Sequence, residues 1–249
     1  MRKLSLREKS VLAGLYLSKF DAKGLHHLGF DTFIEAFNVI GLALGVQPAS
    51  VKNYRDEFDP LFPNGRMGWH KRPIRAYCKT IYDAFNGLGI EEFSVFLKKI
   101  IYKKQDLDVL MEDAEKKSKD SNLSFAKRLI TGQAAEEYFR SKFQDIDQFK
   151  NFELEDTTRL GCGFDFRVFT SDIFFGVEVK GLNESSGNIL LTNKEHSVAS
   201  ILKDRYFLFV VCNFREKPSH TLYQNPLESD LTFTRVEQRS IQVNWTANV

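Results

Sequence analysis

The sequence is poor in several features that point quickly to a function. Cysteine occurs three times in 249 residues, at Cys78, Cys162 and Cys212, too sparse and too scattered for a disulfide framework. Scattered thiols in odd number fit a reducing compartment, so a cytoplasmic protein is expected. No Cys-x-x-Cys or His-x-x-x-His pairing is present to suggest zinc, and the doublet His26-His27 reads as surface. Charge of one sign is not in excess: the net charge is +2, so affinity for nucleic acid would have to come from local basic patches. The longest apolar run, near Val39–Val46, is far too short to span a bilayer, and no membrane association is expected. The opening MRKLSLREKS has no apolar core of the kind a signal peptide needs. Internal repeats and low-complexity tracts are missing too.

What remains is an ordinary globular composition, 43% hydrophobic and 27% charged, in a chain long enough for one large domain or two small ones. The 23 phenylalanines predict an aromatic-rich core. Helical periodicity covers residues 4–20 and 30–44, with Gly24 and Gly29 marking a loop between them. Residues 41–58 then read as helix, a turn at Gly45-Val46-Gln47-Pro48, and a second helix to Phe58. That spacing is helix-turn-helix-like, and the motif would send the exposed face of its second helix into a DNA major groove. Here the face would offer Ser50, Lys52, Asn53 and Arg55. The next stretch, NGRMGWHKRPIRAYCK, concentrates Arg66, His70, Lys71, Arg72 and Arg75 with aromatics between them, and reads as a phosphate-binding footprint. An ordinary helical hairpin followed by a solvated loop is the alternative. Further helices are expected over 73–87, 90–104 and 107–119, and the charged run 112–122 is the best place for a domain boundary.

From residue 121 the pattern changes. Phe125, Leu129, Gly132, Phe139 and Phe143 recur at helical spacing, with Glu136 in the middle of that stripe. A carboxylate there either meets a cation or lies at the margin of the stripe; Gln133 would also approach the site. A short strand over 152–156 follows. Thr192…Glu195 is a capping box that starts a helix to about Lys203. Tyr206–Cys212 is a buried strand, and 231–236 and 240–245 alternate like strands.

The centre of the chain is GCGFDFRVFTSDIFFGVEVK, residues 161–180. It reads as a hairpin of strands 164–169 and 173–180 with Ser171-Asp172 at the tip, which sets Asp165 opposite Glu178. The two-residue period puts Phe164, Phe166, Val168, Ile173, Phe175, Val177 and Val179 on one apolar face. Asp165, Arg167, Glu178 and Lys180 fall on the other. Asp165 and Glu178 are hard oxygen ligands suited to Mg²⁺, and the Val179 carbonyl is a further candidate ligand. Lys180, on the same face, would orient or deprotonate a water and offset charge on a phosphoryl transition state.

Asp165 with Glu178-Val179-Lys180 resembles the PD-(D/E)xK nuclease signature, and the αβββαβ order resembles that superfamily's core. More closely, residues 121–213 resemble the nuclease-like domain at the C-terminus of the plant NO VEIN protein and of many prokaryotic restriction systems. The matching residues are Gly132…Glu136, Gly163-Phe164-Asp165-Phe166, Val177-Glu178-Val179-Lys180-Gly181 and Thr192…Glu195. Phe164 stands where the wider superfamily label has proline. The resemblance implies a site of Asp165, Glu178, Lys180 and Glu136, with Glu136 ligating the metal or holding Lys180, and with Lys194 and its neighbours near phosphate. The fold expected is α+β with an α/β core: a helical DNA-recognition domain over 1–118, then a restriction-endonuclease-like domain over 119–249. The function expected is Mg²⁺-dependent, site-specific cleavage of double-stranded DNA by a homodimer. The alternatives are a modification-dependent or repair nuclease, and a DNA-binding protein that does not cut.

Overall fold

A computed structural model describes residues 4–101 and 119–236, and of residues 119–126 the backbone alone. The chain is α+β, a helical N-terminal region followed by a helix-and-sheet region. The expected helix over 107–119 and most of the charged run 112–122 lie outside the described residues, as does the expected strand over 240–245.

The first helix, α1 (Leu6–His27), opens with a full capping box between Ser5 and Glu8. It breaks at Asp21, whose φ of 48° is left-handed. The next two helices are α2 (Phe33–Ala43), capped by Thr32, and α3 (Pro48–Phe58), which starts on a proline where a missing N–H costs nothing. The helix–turn–helix spacing is therefore present. A Cβ on Gly41 would stand 2.8 Å from Pro48 Cα, and one on Gly14 would stand 2.5 Å from Tyr54 Cβ. Both glycines let backbones meet more closely than a side chain allows. Helices α4 (Ala76–Phe85) and α5 (Ile90–Ile101) complete the described part of the helical region.

Among the described residues the sheet has five strands: β1 (Glu153–Asp156), β2 (Phe166–Phe169), β3 (Phe174–Gly181), β4 (Tyr206–Cys212) and β5 (Ser219–Gln224), side by side in chain order. Only β3 and β4 run parallel. Parallel neighbours need a crossover, and the one here carries α7 (Asn193–Leu202). On the other side, α6 (Lys119–Lys142) packs against both β3 and α2. The expected apolar stripe on α6 is incomplete for that reason. A helix held between two layers buries more than one face, and Ile130, Gln133, Ala134, Ala135 and Phe139 are all buried.

Phe139, Phe149, Phe166, Phe207 and Phe209 interlock beneath the sheet, with ring centroids 4.9 Å apart for Phe139 and Phe209. One continuous buried cluster joins them to Val11, Val39 and Phe93 in the helical region. Polar contacts cross the same junction. Asn38 Nδ2 donates to the carbonyls of Phe214 (2.7 Å) and Glu216 (3.0 Å), and Gln133 Nε2 to those of Ala43 (2.7 Å) and Ile101 (3.1 Å).

Beyond β4 the sequence reading needs two corrections. The strand there is Ser219–Gln224, between the two prolines, and residues 231–236 are irregular. A short, exposed polar edge strand has no apolar alternation to give it away. Among the described residues no helix is long and apolar enough to cross a membrane.

Candidate active site

The hairpin at the centre of the chain forms in the expected register. Phe166 pairs with Val177 and Phe169 with Phe174, and at the open end the Asp165 N–H also meets the Val177 carbonyl, so Asp165 stands one residue out of step with Glu178 and not directly opposite it as expected. Ser171-Asp172 lies at the tip, closed by a Thr170 N–H to Ile173 carbonyl bond of 2.9 Å. Phe166, Val168, Val177 and Val179 are buried on the core side.

Two residues leave the expected apolar face. Ile173 is 41% exposed in the turn. Phe164 covers the opposite face, where its ring fills the space over Gly176. The cause is Asp165, whose N–H meets the Val177 carbonyl although Phe166 is the residue paired with Val177; two residues face one, and the alternation breaks between Phe164 and Phe166. A Cβ at Gly163, whose φ is +94°, would stand 2.7 Å from Val198 Cγ2 on α7. This glycine therefore sets both the twist of the chain and its approach to the helix.

Asp165 is pinned on both sides. Its N–H donates to the Val177 carbonyl at 3.0 Å, and its carbonyl accepts from Thr157 N–H at 2.9 Å. Its Oδ2 accepts from the Val179 N–H at 2.9 Å. The N–H and carbonyl of one strand residue point to the same side, so the Val179 carbonyl also faces the Asp165 side of β3. Glu178 is buried, and its Oε1 accepts from Lys180 Nζ at 2.6 Å. Lys180 Nζ reaches Glu195 Oε2 as well, at 2.9 Å. Gly181, next in line, lets α6 come close: a Cβ there would stand 2.8 Å from the Thr131 carbonyl.

Burial pushes the Asp165 carboxyl up to about 7, against the Val179 hydrogen bond and with the help of nearby Glu136. Burial and the Asp165 charge push Glu178 up to about 9. Burial disfavours the Lys180 ammonium, but Glu178 and Glu195 outweigh it, and the group stays above its ordinary value. The Tyr206 hydroxyl, which donates to the Gly163 carbonyl at 3.0 Å, is raised by burial and by Glu178, Glu195 and Asp165. Acids outnumber bases here, in a site that is partly open to solvent.

Among the described residues no three His, Cys, Asp or Glu side chains converge into a ready-made metal cage. Mg²⁺ does not need one. It binds through one or two carboxylates and keeps several waters. Two carboxyls held above their usual range are the donors a hard cation would stabilise, so the set Asp165, Glu178 and the Val179 carbonyl fits it.

Residues 134–224 match the family described as Protein NO VEIN, C-terminal. The matched stretch holds Glu136, Asp165, Glu178, Lys180 and Glu195, and extends past the expected resemblance to include β5. No curated protein and no solved structure shows significant similarity.

Other expected site residues fall elsewhere. Gln133 points away, into the junction with the helices. Arg55 is not on an exposed face: its side chain is 12% exposed, bonds Asp56 and lies over Phe33 and Phe37. The arginines of the basic stretch face acids of their own chain. Arg66 bonds Asp59 and Asp21, while Arg72 and Arg75 share the buried carboxylate of Glu57. Lys52 pairs with Asp56. Asn53, His70, Lys71 and Lys194 are exposed, and Ser50 is half-buried. The sequence offered both halves of these pairs, but residues 15 and 18 apart in a loop give no periodic signal. Glu195 was legible as a cap and not as a partner of Lys180.

Proposed function

We propose that the chain is a Mg²⁺-dependent endodeoxyribonuclease that hydrolyses phosphodiester bonds in double-stranded DNA. The observation that carries this reading is the meeting of two carboxyls held above their usual range, Asp165 and Glu178, beside the Lys180 ammonium. The NO VEIN C-terminal family match over the same residues supports it.

Asp165, Glu178 and the Val179 carbonyl would hold the ion. When bound, Mg²⁺ polarises the scissile phosphate and lowers the pKa of a coordinated water. Lys180, fixed between Glu178 and Glu195, carries its proton throughout. It places positive charge where the phosphoryl oxygens gain negative charge and does not act as the base. Glu136, within electrostatic reach of Asp165 at the near face of α6, serves as the acceptor for the water's proton or for a second-layer water. A bound cation would favour the ionised form of Asp165 and Glu178, whose protons it would displace to solvent.

One such centre cuts one strand, so a double-strand break takes two copies or two successive nicks. A two-fold dimer would match a palindromic target.

Incubating plasmid and phage DNA with wild type and Asp165→Ala, in Mg²⁺ and in EDTA, tests the reading. Discrete fragments that require Mg²⁺ and vanish in the variant are expected. No cleavage of unmodified or methylated DNA under any of these conditions overturns it. Cleavage of methylated DNA alone would assign a modification-dependent enzyme.

A further inference from the structure

Glu195 carries two tasks on one oxygen. Its Oε2 accepts from the Thr192 N–H at 2.8 Å, and its own N–H donates to Thr192 Oγ1 at 3.2 Å, which closes the capping box of α7. The same Oε2 accepts from Lys180 Nζ at 2.9 Å. A capping carboxylate ordinarily faces solvent. This one is turned inward, with its side chain 17% exposed, against a lysine that is itself 20% exposed.

The neighbours make the arrangement specific. Lys180 has two acceptors, Glu178 Oε1 on its own strand and Glu195 Oε2 on the next helix. Glu178 alone would leave a long, flexible side chain one anchor, about which the ammonium could swing away from the strand face. The second anchor comes from a different element and fixes the direction. That element is itself registered to the site at Gly163, whose backbone packs against Val198 and the Lys194 carbonyl of α7. Tyr206 Oη then ties the Gly163 carbonyl to β4. The start of α7 is thus held to both sides of the carboxylate pair.

We propose that Glu195 is a positioning residue, which uses the capping box of α7 to hold the Lys180 ammonium at the centre formed with Asp165 and Glu178. The proposal deepens the nuclease reading and rests on it for its catalytic consequence, while the geometry stands apart from it. Glu195 does not touch substrate. It determines where the charge of Lys180 stands.

Two substitutions separate holding from capping. In Glu195→Gln the amide oxygen still closes the capping box, but a charge-assisted bond to Lys180 becomes a weaker neutral one. In Thr192→Ala the Oγ1 acceptor is lost, while the backbone N–H and the Glu195 carboxylate both remain. The measurement is the solvent-exchange rate of the Lys180 Nζ protons by nitrogen-detected NMR on the full chain, beside the melting temperature. In Thr192→Ala the melting temperature falls and Lys180 keeps its protection. In Glu195→Gln the melting temperature is held and protection falls about tenfold, roughly one bond's worth. Equal protection in wild type and Glu195→Gln, or an equal loss in both variants, overturns the proposal.

Plasmid cleavage in Mg²⁺ adds the catalytic arm. Glu195→Gln lowers kcat by about tenfold or more with KM for DNA unchanged, as outer partners of an active group do. A Glu195→Gln enzyme with wild-type kcat also overturns the proposal. If wild type cuts no DNA, the nuclease reading fails, and the exchange measurement still decides whether Glu195 holds Lys180.

Discussion

Asn38, on α2, donates to the carbonyl of Phe214 at 2.7 Å across 176 residues of sequence. The bond lies at the exit of β4, where the chain is also tied to the exit of β3. Leu182 N–H donates to Val211, Asn213 N–H to Glu184 and Arg215 N–H to Asn183. Glu35, one helical turn before Asn38 and fully buried, takes Lys127 Nζ at 2.7 Å and the Asn183 amide. Helix α2 therefore grips the loop that begins two residues after Lys180.

Asn38→Ala leaves two carbonyls at this junction without their donor. The Phe214 carbonyl is left buried, whereas Glu216 is exposed and water can replace its donor, so a loss of about 1–2 kcal/mol is expected in urea unfolding. The loss should fall on both regions in a single transition, since one buried cluster runs through them. Separate transitions for helices and sheet would contradict the shared core.

The carboxyl pair sets a pH dependence. Asp165 and Glu178 are raised to about 7 and about 9, so the folded chain keeps protons that the unfolded chain releases near pH 4. Stability from these groups is full below about pH 4 and is lost as the pH rises through 7 and 9. The metal-free protein should melt at a lower temperature at about pH 9 than at about pH 5, and Asp165→Asn should flatten that fall. Asparagine keeps an acceptor for the Val179 N–H and removes a buried charge. The variant should therefore gain about 1–2 kcal/mol at neutral pH while cleavage falls at least about a hundredfold. Mg²⁺ should raise the wild-type melting temperature more at high pH than at low pH, because protons compete for the same oxygens. A pH-independent Mg²⁺ shift would remove Asp165 and Glu178 as its ligands.

Gly163→Ala places a methyl group on a left-handed backbone and against Val198. Strain of this kind costs roughly 1–3 kcal/mol. The larger effect should be on the site, because Asp165 lies two residues on and the Gly163 carbonyl holds Tyr206. A drop in cleavage beyond the loss of folded protein, read by circular dichroism and plasmid nicking together, is the expected outcome.

Much of this was legible in the sequence where a local rule decides it. The hairpin register over residues 166–177 follows from an apolar face of period two and a polar tip, and it brings Asp165 and Glu178 to the same end. The capping box at Thr192 and Glu195 is equally local, and the helix expected just after Pro48 begins one residue earlier, on the proline itself. What escaped depends on distant partners. Phe164 left its face because Asp165 and Phe166 both face Val177 across the hairpin. The stripe on α6 dissolved because α2 covers its second side. Glu195 looked inward because Lys180, 15 residues earlier, was waiting in the next element.

The arginines of the basic stretch are the sharpest instance, and they change how DNA binding should be tested. Glu57, with its side chain 1% exposed, takes Arg72 Nη2, Arg75 Nε at 3.0 Å and the Arg75 N–H at 2.8 Å. Arg75 also lies over Tyr54, Trp69 and Tyr77. Removing a buried partner of this kind costs 3–5 kcal/mol when both sides are buried, and about 2 kcal/mol is expected here because the arginines are a third exposed. Arg75→Ala should therefore lose DNA chiefly by losing folded protein. Lys71, exposed and with no ion pair seen among the described residues, is the cleaner probe. Lys71→Ala should leave the melting temperature within about a degree and reduce the salt dependence of DNA affinity by about one unit of slope, if phosphate meets this stretch. An unchanged slope in Lys71→Ala, with wild-type affinity, would move the DNA-contacting surface away from residues 66–75 altogether.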